Sequence, residues 1–436
     1  MEPAHSGHKT KRRILHCIGT GYSSSPLTDT ELGEICTVVD HETCAGSSCH
    51  LCHLAADLCG NDARSAILYL FSILADIGDR SLIATSSGFS REDMRNRSGN
   101  RMVYLDSFRG MAIGMVVATH ALGYSQLTQE NAQLLGFLSR TVAVPVFFLV
   151  DGILFALGHQ SSGALNYGTY VRKSARRLLL PWMVFTLAYC ILRMGFEYMD
   201  NSSTHIVYGQ NWRDVFLAGY LSSFSSQMYF LLSLFFIRTA SKITYRVTHA
   251  SPVHQIAIVV VYIILFHTLP LQSWFFPGLD PIYHALWGMQ FYLAGVAVVP
   301  WIPVLKAPAS WLSAVAIAVG LLLASFFDGM AVFSQFLLLF GSYLFFFSRP
   351  DQFQLLSSLG RRSMGIYLVH IPLVMKIFSL ILVRLLSPST PLFFIFLTTA
   401  TLSASALFTS LLFQHPYGRI LFGESLRPSP PPVPAS

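Results

Sequence analysis

From Ser107 to Phe413 the chain alternates between long apolar runs and short polar breaks. The runs fall at 107–124, 139–158, 178–196, 225–240, 254–271, 282–299, 310–327, 331–347, 363–386 and 391–413. Most match the roughly 20 residues an α-helix needs to cross a hydrocarbon layer about 30 Å thick. A helix also satisfies its own backbone N–H and C=O groups, which lipid demands of any spanning segment. The pattern predicts an all-α polytopic membrane protein with about ten transmembrane helices. The fourth run, within "LAGYLSSFSSQMYFLLSLFFI", is the least sustained, and its start is compatible with an interfacial segment. Only "DGM", residues 328–330, separates the seventh run from the eighth, so these two are expected to pack as a hairpin.

Basic residues set the expected orientation, because cations concentrate in cytoplasmic loops. Arg95, Arg97 and Arg101 precede the first run, and Arg172, Lys173, Arg176 and Arg177 lie between the second and third. Arg238, Lys242 and Arg246 follow the fourth, Lys306 the sixth, Arg349, Arg361 and Arg362 the eighth, and Arg419 and Arg427 the last. With ten spans all of these fall on one side, and both termini are expected in the cytoplasm. The opposite loops hold few cations (Arg140, Arg193, Arg213) beside Glu130, Glu197, Asp200 and Asp214, with the sequon Asn201-Ser202-Ser203 in the longest of them.

Composition agrees with a membrane body. The chain is 53% hydrophobic and 12% charged, against about 25% charged in soluble proteins. Only ten acidic residues occur from Met102 to Ser436, so the net charge of +7 reflects topogenic cations rather than a nucleic-acid surface. No nucleic-acid-binding motif is visible. Of the seven cysteines only Cys190 falls in the apolar part, which is therefore not stapled by disulfides.

Residues 1–100 are polar and irregular, with one apolar stretch, "AILYLFSILADIG", too short to span. No secretory signal pattern opens the chain, because basic "KTKRR" is not followed by a sustained apolar run. "CHLCH", Cys49 to His53, has c-type haem attachment spacing, but attachment takes place outside the cytoplasm. A zinc site drawn from Cys36, Cys44, Cys49, Cys52, His53 and Cys59 lacks two cleanly spaced ligand pairs. The segment reads as a cytoplasmic, disordered extension ahead of a transmembrane domain at 101–415. Residues 416–436 end in the Pro-rich, disordered tail "RPSPPPVPAS".

Within the first run, "SFRGMAIGMVVATHA" carries Arg109 and, eleven residues on, His120. Eleven helical residues turn through about 1100°, about 20° past three full turns, so both side chains share one face, about 16 Å apart along the axis. A guanidinium at the mouth suits a phosphate, and an imidazole deeper in suits a general base at the end of an acyl-pantetheine arm. Singly, each has a structural alternative, an interfacial anchor for Arg109 and a helix-packing partner for His120. Ionisable groups within a membrane are nonetheless functional by default, and more of them converge here. Asp151 lies deep in "VPVFFLVDGILFALG", while His267 and His370 lie in the fifth and ninth runs. His267 is read as a packing residue.

"YLDSFRGMAIGMVVATHA" resembles the opening helix of the membrane acyltransferase 3 family, with an Arg, ten residues and then His. "VPVFFLVDGILFAL" looks like that family's second helix, "RKSARRLLLPW" like its basic entry to the third, and "SLGRRSMGIYLVHIPLV" like its late Ser…Tyr-Leu-x-His-x-Pro segment. The resemblance covers about 102–415. It implies a ten-helix acyltransferase 3-like bundle that moves an acyl group, commonly acetyl, from cytoplasmic acyl-CoA to a hydroxyl of a carbohydrate or another small or lipid-linked acceptor. By that resemblance His120 is the catalytic base, Arg109 helps to hold the donor, and Arg172, Lys173, Arg176 and Arg177 meet the CoA phosphates. Tyr367 and His370 are candidates to line the acceptor cavity, with helix packing as the alternative.

Where the family carries Ser-Gly, this chain has Asp151-Gly152. Asp151 is a candidate catalytic residue that orients the His120 tautomer as a triad carboxylate does, or else it pairs structurally with Arg109 or another cation. Acyl-CoA is expected as a donor substrate, with no permanently bound cofactor and no metal in the membrane part. A proton-coupled transporter or flippase using the same polar residues is the alternative, although no internal repeat is visible. An inert scaffold is a third, under which His120 would be dispensable.

Overall fold

The computed structural model describes residues 102–127, 136–137, 139–160, 165–199, 207, 210–220, 226–271, 279–305, 309–326 and 330–422. All fall within one compact unit, Leu74–Ser436. The first hundred residues with their Cys and His candidates, the sequon, most of the "DGM" turn and the end of the Pro-rich tail lie outside the described residues.

Every predicted run is occupied by helix. In chain order these are α1 (Val103–Leu122), α2 (Val144–His159) and α3 (Tyr167–Met199). Next come the short α4 (Trp212–Tyr220), then α5 (Tyr229–Thr239), the short α6 (Ser241–Thr248), α7 (Pro252–Thr268) and α8 (Asp280–Val298). They are followed by α9 (Ala309–Phe326), α10 (Ala331–Ser348), the short α11 (Gln354–Arg361), α12 (Ser363–Val369), α13 (Met375–Leu382), α14 (Pro391–Gln414) and α15 (Pro416–Leu421). Among the described residues there is no strand.

Six helical stretches are long and apolar enough to cross a membrane: Thr141–His159, Tyr167–Gly195, Asp280–Leu305, Ala331–Ser348, Ser363–Leu382 and Pro391–Gln414. α5, α7 and α9 are shorter apolar helices, and α1 is diluted by Asp106, Arg109 and His120. A multi-pass membrane protein follows from these six, whereas a count of ten does not.

Local sequence accounts for several boundaries. Ser251 caps α7 by accepting a hydrogen bond from the His254 N–H, with Pro252 at the first helical position. Thr390 and Pro391 do the same at the start of α14. A cap oxygen satisfies an orphan N–H, and proline has no N–H there to lose. Between α12 and α13 the helix breaks at Ile371, whose backbone is extended (φ −128°, ψ 147°). The cause is Pro372, whose ring excludes the preceding residue from the α region. The basic run Arg172–Arg177 is not in a loop, because α3 starts at Tyr167 and runs for 33 residues.

α2 is central, with 72% of its spanning window buried, while α3 at 17% is peripheral. Met183, Leu187, Ile191 and Met194 of α3 are exposed, as expected of a face turned to lipid. α2 lies against α8, and α1 against α11, α14, α10 and α2. Both leading contacts are made backbone to backbone through glycine. A methyl group at Gly152 would sit 2.0 Å from the Tyr292 carbonyl oxygen, and one at Gly295 would sit 2.1 Å from that of Leu149. On α1, one at Gly110 would lie 1.9 Å from the Leu356 carbonyl, and one at Gly360 would lie 1.8 Å from that of Asp106. Small residues allow such approach, the usual source of helix association where lipid removes the hydrophobic drive. α9 and α10 pack as the expected hairpin, stitched by Ser313 Oγ to the Gly341 carbonyl (2.9 Å) and Ser334 Oγ to the Gly320 carbonyl (2.8 Å).

Two alanine substitutions on α1 should differ in sign. Gly110→Ala should lower the thermal midpoint, since overpacking costs about 1–3 kcal/mol. Gly114→Ala, with nothing within 4 Å of the new methyl, should leave it unchanged or raise it, in line with the roughly 1 kcal/mol helix-propensity gain over glycine. Thermal melts of the purified variants in detergent check this, and equal midpoints would contradict the close contact.

Candidate functional site

The α1 face carries the first half of the site. Asp106, Phe108, Ala112, Ile113, Val116 and Val117 are buried, while Arg109 and His120 are only partly so. Among the described residues the Arg109 guanidinium has no hydrogen-bond or ion-pair partner. Its electrostatic neighbours are Asp151 and Asp106, which attract it, and Arg177 and Arg238, which repel it. Three guanidiniums from α1, α3 and α5 thus share a neighbourhood with two carboxylates.

One of those carboxylates is already engaged. Asp151 on α2 forms a two-pronged ion pair with Arg238 at the end of α5: Nε donates to Oδ2 at 3.0 Å, and Nη2 donates to Oδ1. Both side chains are nearly buried. The planar guanidinium fork matches the carboxylate, giving a strong, directional contact. Asp151 therefore meets another cation rather than Arg109, and its carboxylate is not hydrogen-bonded to His120.

His120 has an imidazole as its neighbour. The ring centroids of His120 and His370 are 5.3 Å apart, with the planes tilted by 52°. α1 places the first ring, and the end of α12, just before the Pro372 break, places the second. His370 is fully buried. Tyr367 lies beside it at 5.9 Å between centroids, but the Tyr367 hydroxyl donates to the Gln227 carbonyl and its ring packs on Phe230. The structure thus brings His120, His370 and Tyr367 together, and places Arg109, Arg177, Asp151 and Arg238 in a second group.

Arg172, Lys173, Arg176 and Arg177 are exposed on the first turns of α3. Arg177 reaches the electrostatic neighbourhood of Arg109. His267 hydrogen-bonds Gln290 at 3.3 Å, linking α7 to α8. Sequence reasoning counted Arg238 only as a topogenic cation. Its signal was available, since it closes the apolar run "YFLLSLFFIR", much as Arg109 opens one. Gln227, whose side-chain amide donates to the Ile371 carbonyl, gave no signal of its own.

Removing one member of a buried pair strands the other charge, at a cost of about 3–5 kcal/mol, whereas apolar replacement of both is often neutral. Asp151→Ala should therefore destabilise strongly, while the double variant Asp151→Leu/Arg238→Met should melt near the wild type. A double variant no more stable than the single would argue against a closed pair.

The acyltransferase 3 family model, described as an acyltransferase domain, matches residues 102–410. No curated protein and no solved structure matches the chain. The matched stretch runs from the start of α1 almost to the end of α14, and so takes in both the imidazole pair and the arginine cluster. With its apolar helices and this match over most of its length, the chain belongs to the acyltransferase 3 family and is a multi-pass membrane acyltransferase.

Proposed function

We propose that this chain transfers an acyl group, acetyl in the first instance, from acyl-CoA to a hydroxyl of a carbohydrate or another small or lipid-linked acceptor. One observation carries the reading. The Arg109 guanidinium has no hydrogen-bond partner among the described residues, and His120 stands on the same helix face about 16 Å further along the axis. A cation that faces carboxylates yet is bonded to none suits an anionic ligand, and the spacing suits a phosphate at one end and a thioester at the other.

In this reading the Arg109 end of α1 faces the cytoplasm, as do both termini. Arg109 and Arg177 hold the CoA diphosphate, with exposed Arg172, Lys173 and Arg176 at the phosphate entrance; arginine forks suit such oxygens. Asp151 offsets one cation of the cluster and fixes Arg238. The pantetheine arm runs along α1 toward His120. There the imidazole takes the proton of the acceptor hydroxyl, and the oxygen attacks the thioester carbonyl. The tetrahedral intermediate collapses as the carbon–sulfur bond breaks, and the imidazolium returns the proton to the departing thiolate. The products are an ester and free CoA. Tyr367, its hydroxyl occupied, forms part of the wall on the acceptor side.

Thiol release from acetyl-CoA by the purified protein, with a panel of hydroxyl acceptors, tests the reading. His120→Ala should lower acceptor-dependent release by about 10²–10⁴-fold, the usual contribution of a general base, and leave acetyl-CoA binding intact. Arg109→Ala should weaken acetyl-CoA binding about 10-fold or more, since hydrogen bonds to a charged group contribute about 1.5–3 kcal/mol. A His120→Ala enzyme with wild-type turnover would sink the mechanism. A protein that moved a substrate across the bilayer and left the thioester intact would be a transporter.

A further inference from the structure

The fully buried His370 ring has one nitrogen committed and one open. Nδ1 lies 2.8 Å from the Tyr367 carbonyl oxygen and 3.1 Å from that of Ile366. Carbonyl oxygens only accept, so Nδ1 carries the hydrogen and the neutral ring presents a bare lone pair at Nε2. That Nε2 is buried and has no partner. An unmet buried acceptor is costly, so a ring held only for packing would be better served by an apolar side chain.

The segment around His370 is also held from several sides. Tyr189 donates to the Leu368 carbonyl, Tyr367 to the Gln227 carbonyl, and the Gln227 amide to the Ile371 carbonyl. These bonds come from α3 and from the turn before α5, and they leave His370 little freedom. The ring facing it is His120, at 5.3 Å between centroids, which has no hydrogen bond of its own among the described residues. Asp151, the carboxylate a triad would need, is occupied by Arg238.

We propose that His370 is the orienting partner of His120, with Nε2 accepting the His120 ring N–H as His120 takes the proton of the attacking hydroxyl. The inference rests on the acyl-transfer reading. His370 stays neutral and keeps its Nδ1–H throughout, so the proton still passes from hydroxyl oxygen to His120 to thiolate sulfur. His370 takes the place a triad gives to a carboxylate and is a positioning residue.

The test uses the full-length purified enzyme, acetyl-CoA and an acceptor that the wild type uses. His370→Phe fills the space without an acceptor. His370→Gln places an amide oxygen near the position of Nε2. The Phe variant should lose kcat on the order of 10²-fold, less than the roughly 10⁴-fold seen for a triad carboxylate, because a neutral acceptor stabilises imidazolium less. Its KM for acetyl-CoA, directly measured donor affinity and thermal midpoint should stay at wild-type values. The Gln variant should recover to within about threefold of wild type, since it keeps the accepting oxygen. Equal losses in both variants, a Phe variant as active as wild type, or a loss that follows donor affinity or the thermal midpoint would each overturn the orienting role. If the Phe variant fails to fold, His370→Leu takes its place with the same criteria. A wild type that never consumes the thioester would instead overturn the acyl-transfer reading, and the orienting role with it.

Discussion

The bond between Asp151 and Arg238 decides how the other charges in the bundle are arranged. A carboxylate in the middle of α2 is tolerable in an apolar medium only with a counter-ion and satisfied lone pairs, and the fork of Arg238 supplies both. That bond ties α2 to α5, and both helices rest on α8. It also settles which of two nearby cations is neutralised at contact distance. Asp151 is an electrostatic neighbour of Arg109 as well, but its oxygens are given to Arg238, and Arg109 keeps its donors for something else.

The bundle around this pair is close-packed because its backbones touch. Gly152 against the Tyr292 carbonyl and Gly295 against that of Leu149 set α2 on α8, and Gly110 against the Leu356 carbonyl and Gly360 against that of Asp106 set α1 on α11. Gly152 follows Asp151 directly, and Gly110 follows Arg109. The residues that set the helix spacing therefore adjoin the residues that set the charge. A shift of either helix pair would move a charged group as well as an apolar surface.

The helices were legible because lipid leaves the chain few options: an apolar run of about 20 residues has to be helical to satisfy its backbone. The break before Pro372, inside the run read as one span at 363–386, was missed, although proline restricts the residue ahead of it whatever the tertiary context. The spanning count was less legible. Helices such as α1 and α5 are interior elements whose polar groups or short length hide them from a hydropathy measure, and their burial comes from neighbours that a one-dimensional pattern does not show. Pairing was the least legible. Asp151 and Arg238 are 87 residues apart, and neither residue's surroundings in the sequence name the other. His120 and His370 meet only because α12 ends where it does. Sequence spacing could place Arg109 and His120 on one face because both sit on one helix, and that is the only site relation a helical period can supply.

Apolar surroundings also limit which chemistry each position can hold. In the second turn of α1 a guanidinium is tolerable, with Asp106 and Asp151 in its field. Eleven residues on, in the last turn of α1, an added carboxylate beside His120 would require a further cation to neutralise it, as Asp151 requires Arg238. An imidazole needs only a carbonyl for one nitrogen, which the helix turn of α12 supplies from its own backbone. On the acyl-transfer reading, a neutral ring then offers His120 a lone pair without bringing another charge into the hydrocarbon layer. The imidazolium is less stabilised than it would be beside a carboxylate, and the proton is accordingly easier to return to the departing thiolate.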